Sequence, residues 1–255
     1  MDCVNFYKEN GYYLAEGLLD EAALQTVLID IWQVFGSKTH SLQNLDDCCV
    51  DLFRSDFDAF VSSAAACQQL LSLQQLFFDT RVTDFIYRLG LKVSSLNTRP
   101  VLHLSSKNTA KNDLYWKVPP HQDWPSNQGS LNGLTCWVPL VDVPEELGPL
   151  EVVPASHTFG SLPHQDVGVP ALIEEFWDWV PVPMHRGDVL FFSTFLVHRS
   201  GENKSDKIRF STATRYNDLS EPSYIARNFP KPPELSQRFA SWPSREEVRD
   251  VWIVK

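Results

Sequence analysis

The sequence predicts an α+β fold in which N-terminal helices support a β-barrel or β-sandwich. Apolar residues recur at helical spacing through about the first 90 residues, whereas residues 96–217 alternate strand-like runs with turn-forming segments. Helices followed by a set of strands are typical of α+β proteins. A chain of 255 residues can bury a large core without dividing, so we expect residues 1–255 to form a single domain.

The helical part is predicted for residues of about 1–90. Leu19, Ala23, Val27 and Ile31 are spaced four apart, as on one face of a helix, and Asp20 is placed to act as the N-cap. Two further helices are predicted near residues 64–78 and 83–89. We expect these helices to flank the strands that follow.

The β-core is predicted for residues of about 96–217. Residues 131–141 (LNGLTCWVPLV) are a strand candidate, and residues 189–197 (VLFFSTFLV) are predicted to be a buried strand that ends at His198. After a polar, turn-forming stretch, residues 208–216 (IRFSTATRY) are predicted to be a returning strand. Residues 218–255 form a Pro-rich C-terminal extension with a short helix predicted at 245–252.

The tripeptide His121-Gln122-Asp123 is the most informative segment of the chain. Residues i and i+2 of a strand face the same side, so His121 and Asp123 can reach one metal ion from a strand or its frayed end. A third ligand must then come from another strand, and His198 is the candidate. Two histidines and one carboxylate on one face of the metal are typical of non-haem Fe(II) oxygenases.

The same tripeptide occurs a second time, as His164-Gln165-Asp166. This copy lies among Gly and Pro residues with no strand-like run on either side, which favours a surface loop. The first copy leads into a strand candidate and lies 75 residues (198 − 123) before the second histidine, which leaves room for several strands. We therefore predict that the first copy provides the metal ligands.

Arg209 follows His198 by 11 residues (209 − 198) and begins the returning strand. A hairpin of this length can bring its guanidinium near the metal, where it can bind a carboxylate through two hydrogen bonds. Ser200 shares the face of His198 if the strand continues, and offers a hydroxyl donor. The alternative is a structural ion pair between Arg209 and an Asp or Glu of the chain.

Composition excludes some classes of partner. The net charge of −10 argues against a nucleic-acid-binding surface. The sequence has no run of about 20 apolar residues, the length that a membrane-spanning helix requires. The first residues lack a signal-peptide pattern, and the 5 cysteines form no CxxC pair. We therefore expect reduced cysteines and a cytoplasmic protein, and we find no pattern that predicts an oligomeric state.

In four segments and one residue, the sequence resembles the phytanoyl-CoA dioxygenase family of Fe(II)/2-oxoglutarate-dependent oxygenases. The segments are residues 6–13 (FYKENGYY), 121–123 (HQD), 148–157 (GPLEVVPASH), and 187–192 (GDVLFF) through 198–203 (HRSGEN), and the residue is Arg209. Their order and spacing make the resemblance specific. Two positions differ, because Leu147 stands where the family often has Asn, and Ala155 replaces the Gly of a Pro-Gly-Ser-His turn.

The resemblance implies a double-stranded β-helix, or jelly-roll barrel, with flanking helices. It implies Fe(II) held by His121, Asp123 and His198, with 2-oxoglutarate and O2 at the open positions of the metal. Arg209 and Ser200 would hold the distal carboxylate of 2-oxoglutarate, and succinate and CO2 would be co-products. Trp137, His103 and Ser105 resemble further co-substrate contacts, although core packing is an equal alternative for the tryptophan.

The resemblance also implies oxidation of a small molecule. Related halogenases have a small residue where this chain has Asp123, so hydroxylation is the expected outcome; desaturation, epimerisation and cyclisation are alternatives. A cupin-type metalloenzyme that does not use 2-oxoglutarate, and a non-catalytic binding protein, are further alternatives.

Several residues are candidates for the substrate side. Arg215 is predicted either to anchor an anionic substrate or to be a paired arginine at the end of its strand. Trp124 is predicted to wall the pocket or to pack in the core. Residues 174–179 (EEFWDW) are predicted to form a lid or an exterior helix, and His157 is predicted to be a structural turn residue.

Overall fold

The computed structural model describes residues 2–39, 44–97, 99–110, 117–163 and 177–230. Its α-helices are α1 (Cys3–Asn10), α2 (Glu21–Gly36), α3 (Leu45–Ser55), α4 (Phe57–Cys67), α5 (Leu71–Phe78), α6 (Thr80–Arg88), α7 (Trp124–Asn127) and α8 (Pro222–Ala226). Its strands are β1 (Tyr12–Ala15), β2 (Ser94–Leu96), β3 (Val101–Ser105), β4 (Leu134–Pro139), β5 (Leu150–Val152), β6 (Val180–Val182), β7 (Val189–Ser193), β8 (His198–Ser200) and β9 (Arg209–Asp218).

The strands form two antiparallel sheets, which confirms the predicted jelly-roll α+β fold. The major sheet has the order β1-β7-β4-β9-β2, and β3 also pairs with β9. The minor sheet has the order β6-β5-β8. Strand β9 is the longest strand of the major sheet and pairs with β2, β3 and β4, so its inward side chains lie at the centre of the fold.

The apolar run of residues 189–197 is divided between the two sheets, where the sequence predicted one strand. Its first part is β7 in the major sheet, the chain turns after Ser193, and His198 begins β8 in the minor sheet. The Ser193 hydroxyl accepts a hydrogen bond from the Phe195 amide (3.2 Å) inside this turn. Apolar periodicity predicts burial but does not reveal a sheet crossing within a continuous apolar run.

The N-terminal helices pack against the major sheet, as predicted. The helix predicted at residues 64–78 is instead two helices, α4 and α5, which are separated by a turn that lets Leu73 and Phe77 face the core. The ring of Phe85 on α6 stacks on Phe191 of β7 with 4.8 Å between the centroids. Helices and sheet therefore share one apolar core.

Within the described ranges, no helix is both long and apolar enough to cross a membrane. The helix predicted at residues 245–252 lies outside the described residues.

Candidate metal centre

His121, Asp123 and His198 come together at one end of the fold. Each offers one ligand atom, and the three atoms lie within 4.8 Å of one another. His121 forms an isolated antiparallel bridge with His198, which places the two imidazole centroids 4.2 Å apart. Asp123 is not on a strand, because it is the N-cap residue of α7, in helical conformation. The tripeptide therefore reaches the site from an isolated bridge residue, His121, that leads into the short helix α7, and not from a regular strand.

Both histidines present the same ring nitrogen to the site. Nδ1 of His121 lies 2.9 Å from the carbonyl oxygen of Pro119, and Nδ1 of His198 lies 3.0 Å from that of Leu196. A carbonyl oxygen only accepts, so each Nδ1 must carry the proton and each Nε2 keeps its lone pair. This arrangement orients a histidine for metal coordination through Nε2.

Burial favours the uncharged form of His198. Desolvation, followed by the nearby His121, lowers the pKa of His198 to about 3. The ring also contacts Phe192, with 4.6 Å between the centroids. A neutral imidazole is the form that binds metal ions, so the site is prepared for a cation at neutral pH.

Asp123 is a buried carboxylate with three strong donors. Its Oδ2 accepts from Thr135 Oγ1 (2.6 Å) and Arg215 Nε (3.1 Å), and its Oδ1 accepts from Arg215 Nη2 (2.7 Å). Burial raises the pKa of Asp123, but the Arg215 guanidinium and the two histidines outweigh it, and the pKa lies well below its usual range. Asp123 is therefore ionised, as a metal ligand must be.

Arg209 provides an uncompensated buried positive charge in the same cavity. It is 2% exposed, and its guanidinium donates to the carbonyl oxygen of Gly148 and to Ser200 Oγ (3.3 Å). Among the described residues no carboxylate pairs with it and its Nε has no partner, and burial lowers its pKa to about 10. A buried cation of this kind favours a bound anion. The alternative of a structural ion pair for Arg209 finds no partner in the described part of the chain.

The route by which Arg209 reaches Ser200 differs from the predicted hairpin. Strand β8 belongs to the minor sheet and β9 to the major sheet, so the hydrogen bond from Arg209 to Ser200 joins the two sheets. Gly201 follows β8 and Gly148 precedes β5, and these two glycines let the two backbone segments come close. A Cβ on Gly201 would lie 2.4 Å from the carbonyl oxygen of Pro149. This close approach brings the Gly148 carbonyl to the guanidinium.

A cavity of about 400 Å³ connects the metal triad to Arg209. Of the other residues that the sequence singled out, Ser200, Trp137, His103 and Arg215 line it. Desolvation, and then the charges of Arg215 and Arg209, lower the pKa of His103 to about 3, so this wall residue is neutral. The donor set of histidines, carboxylate and free guanidinium fits Fe(II) together with a dianionic keto acid.

Two other candidates lie outside the cavity lining. Ser105 is buried opposite Arg209 on β3, and its carbonyl accepts from Asn203 Nδ2 (2.8 Å). Trp124 is 1% exposed and stacks on Phe195 with 5.2 Å between the rings, in the core. The neighbouring Pro125 and Ser126 line the cavity in its place.

The remaining predicted residues have other surroundings. His157 lies in a short 3-10 helix with its Nε2 3.1 Å from the Lys8 carbonyl oxygen, which agrees with a structural turn role. Of the predicted lid, only Trp177 to Trp179 is described, and the Arg199 guanidinium lies 4.0 Å from the ring centroid of Trp179. His164 and Asp166 lie outside the described residues.

Sequence reasoning missed two residues that organise the site. Thr135 contacts Asp123, and Gln122 between the two ligands is buried, donates to the carbonyls of Gly160 (2.8 Å) and Phe195 (2.6 Å), and accepts from the Leu162 amide (2.8 Å). The alternation of β4 was a usable signal for Thr135, since it sits two residues before Trp137. Nothing in the sequence pointed to the contacts of Gln122.

Comparisons with known proteins agree with this geometry. Residues 7–211 match the family model described as phytanoyl-CoA dioxygenase (PhyH). The human peroxisomal phytanoyl-CoA dioxygenase is 22% identical over 98% of this chain and 79% of its own length. A methylphosphonate hydroxylase of Gimesia maris is 35% identical, but the match spans only 40% of this chain and 39% of that protein.

A solved structure shows the same fold. The epimerase SnoN, crystallised with Fe3+, alpha ketoglutarate and nogalamycin RO, superimposes with a TM-score of 0.63 at 21% identity, over 95% of this chain and 93% of SnoN. Since the family model covers residues 7–211 and a complete two-histidine, one-carboxylate site lies within that range, the chain belongs to the phytanoyl-CoA dioxygenase family and is a non-haem Fe(II)- and 2-oxoglutarate-dependent oxygenase.

Proposed function

We propose that this oxygenase hydroxylates a small molecule, with His121, Asp123 and His198 as the iron ligands and with Arg209 and Ser200 as the anchor of 2-oxoglutarate. The observation that carries this proposal is that one cavity contains the three converging ligand atoms and the buried Arg209 guanidinium, which pairs with no carboxylate among the described residues. A cupin-type metalloenzyme would have no use for that guanidinium.

The residues that line the cavity have separate roles in this proposal. His121, Asp123 and His198 would hold the iron, which would supply the redox chemistry of the oxidation. His121 and His198 present neutral Nε2 atoms, because each Nδ1 proton is held by a backbone carbonyl. Arg209 and Ser200 fix the far carboxylate of the keto acid, and Trp137, Leu150 and Phe192 exclude water from the space between.

Part of the cavity lining is apolar. Val101, Val118, Pro125 and Leu162 contribute to it, and Ser126 lines the same cavity. This lining supports a small substrate whose C–H bond is held by shape and apolar contact. Arg215 faces Asp123 with two of its nitrogens, which supports the paired alternative for this residue over an anchor for an anionic substrate.

The similarity to a methylphosphonate hydroxylase makes small phosphonates the first compounds to test. Uncoupled and substrate-stimulated succinate release can be compared for methylphosphonate, its carboxylate analogue and a neutral analogue. Mass spectrometry of the product separates hydroxylation, which adds one oxygen atom, from desaturation, which removes two hydrogens, and from epimerisation, which leaves the mass unchanged.

The co-substrate chemistry is tested by anaerobic reconstitution. Adding Fe(II) and 2-oxoglutarate should produce the weak visible charge-transfer band of a chelated keto acid, and His198→Ala should abolish it because one ligand is lost. If the wild-type protein gives neither this band nor succinate, the assignment of the site fails.

The Arg209 assignment is tested separately. Arg209→Ala should weaken 2-oxoglutarate binding by roughly 10- to 100-fold, the effect of losing a charge-assisted hydrogen bond of about 1.5–3 kcal/mol. The anaerobic titration of the same band measures this affinity. Metal binding without the keto acid should be unchanged, and an unaltered 2-oxoglutarate affinity would refute the role.

A further inference from the structure

The two oxygens of Asp123 have different surroundings. Oδ2 accepts from both Thr135 Oγ1 (2.6 Å) and Arg215 Nε (3.1 Å). Among the described residues, Oδ1 accepts one hydrogen bond, from Arg215 Nη2 (2.7 Å), and it lies 3.7 Å from Nε2 of His121. Oδ2 therefore has two donors, whereas Oδ1 has one donor and lies on the side of His121.

We propose that Arg215 and Thr135 form a clamp that makes Asp123 a one-oxygen metal ligand. Two donors occupy both lone pairs of Oδ2, whereas the single donor to Oδ1 leaves one lone pair there for the metal. The carboxylate would then not chelate through both oxygens and occupy a position needed by the co-substrate. Arg215 and Thr135 are positioning residues in this scheme, and the inference rests on the proposed metal ligands.

The register of the major sheet builds the clamp. Thr135 on β4 and Arg215 on β9 are directly opposed in the antiparallel pair, so their side chains leave the sheet at the same place. Arg215 and Arg209 are an even number of residues apart on β9, so they lie on the same face of this strand, and both line the cavity. The central strand therefore positions both the metal carboxylate and the co-substrate anchor.

Asp123 needs external positioning because the contacts of its backbone do not fix its side chain. It is the N-cap residue of the four-residue helix α7, and its carbonyl accepts from Asn127 Nδ2 (2.7 Å) and Ser126 Oγ (3.0 Å). These contacts fix the main chain but leave the side-chain rotation free. Thr135 is 1% exposed, so little solvent competes for its hydrogen bond to Asp123, and this bond favours one rotamer of the carboxylate.

The opposite role for Arg215 makes a different prediction. A guanidinium close to a dication repels it and competes for its ligand, so an Arg215 that merely blocked the apo site would weaken metal binding. Removing it would then tighten the site. A clamp predicts the reverse, since partners that orient a ligand contribute about 10- to 100-fold to metal affinity.

The test measures anaerobic Mn(II) affinity from the electron paramagnetic resonance signal of the free ion, and coordination from the visible absorption of the Co(II) form. Arg215→Gln should weaken Mn(II) binding by about 10- to 100-fold. Thr135→Val, which removes one neutral donor at constant shape, should weaken it by about tenfold. Arg215→Lys, which keeps the charge and one donor, should fall between wild type and Arg215→Gln.

Arg199→Gln is the matched control. Arg199 also lines the cavity and pairs with a carboxylate, that of Glu151, but this carboxylate is not a metal ligand. Its Mn(II) affinity should stay within about twofold of wild type. Circular dichroism establishes that each variant folds, and Thr135→Val decides the question if Arg215→Gln does not fold.

The outcomes separate the clamp from the proposed function. Weakened Mn(II) binding with an altered Co(II) spectrum in the Arg215 and Thr135 variants supports the clamp. Unchanged or tighter binding in Thr135→Val, or tighter binding in Arg215→Gln, overturns the clamp while leaving the metal centre intact. Absence of Mn(II) and Co(II) binding by the wild-type protein overturns both.

Discussion

At the scale of single residues, Ala155 has a backbone conformation that usually belongs to glycine. Its φ of 63° lies in the left-handed region, and it caps the 3-10 helix that contains His157. Its amide donates to the Asn10 carbonyl (2.9 Å), which joins this turn to the end of α1. The sequence indicated that related proteins have Gly at this place, and the structure supplies the steric reason.

Ala155→Gly is therefore expected to stabilise the protein. The substitution removes about 1–2 kcal/mol of strain that the left-handed backbone conformation causes. It also raises the conformational entropy of the unfolded chain, which costs about 0.4–1 kcal/mol, so we expect a net gain in unfolding free energy of about 0.5–1 kcal/mol. Urea unfolding measures the change. The control Ala64→Gly, inside α4, should lose about 1 kcal/mol, and a loss of stability in Ala155→Gly would show that the turn relaxes without strain.

The convergence of His121, Asp123 and His198 was predictable from the strand context and the span to the second histidine. The place of Arg209 in the same cavity was predictable because it follows that histidine. The alternation of β4 could place Thr135 on the face of Trp137, but its contact with Asp123 and the contacts of Gln122 were not predictable, because a threonine on a strand or a glutamine in a tripeptide has many structural explanations. Their roles depend on contacts with residues far away in the chain, such as Thr135 with Arg215 and Gln122 with Phe195.

At the scale of elements, β9 shows what periodicity can predict. The predicted strand at residues 208–216 agrees closely with β9, and Arg209, Ala213 and Arg215, which share one face of a regular strand, line the cavity. The sheet membership of β8 was not predictable in the same way. Period-two alternation defines faces, whereas strand pairing depends on long-range packing that one sequence does not display.

The Gln122 side chain joins the tripeptide His121-Gln122-Asp123 to the segments that contain Phe195 and Leu162. We expect its removal to lower the stability of the protein, because these contacts are lost. Gln122→Ala leaves the Phe195 carbonyl and the Leu162 amide without their side-chain partner, at a cost of about 2–3 kcal/mol in unfolding free energy. Chemical denaturation measures it. Gln33→Ala on the exposed face of α2 is the control and should change stability by less than about 0.5 kcal/mol; an equal effect in both variants contradicts the role.

At the scale of the whole molecule, we propose that the helical part and the barrel unfold as one unit. Their common core contains Phe35 of α2, Phe85 of α6 and Phe191 of β7. A two-state domain gives a single calorimetric transition with equal calorimetric and van't Hoff enthalpies.

Phe85→Ala tests this coupling. The substitution removes the ring that stacks on Phe191. It should lower the free energy of unfolding by about 3 kcal/mol, and the protein should still unfold in a single transition. Differential scanning calorimetry monitors the process, with Phe78→Ala on the exposed end of α5 as the control. Two separate transitions in the wild-type protein would mean that the helices and the barrel are independent domains.

The short strand β1 has a consequence for aggregation. It pairs with β7 through Tyr12 to Ala15, and β7 is a wholly buried, apolar strand that would otherwise form the margin of the major sheet. An open apolar margin is a template for association with other chains, and a very short outer strand is one way proteins avoid it. Any event that detaches these four residues would turn the strand before His198 into a self-association surface while the proposed iron ligands were still in place.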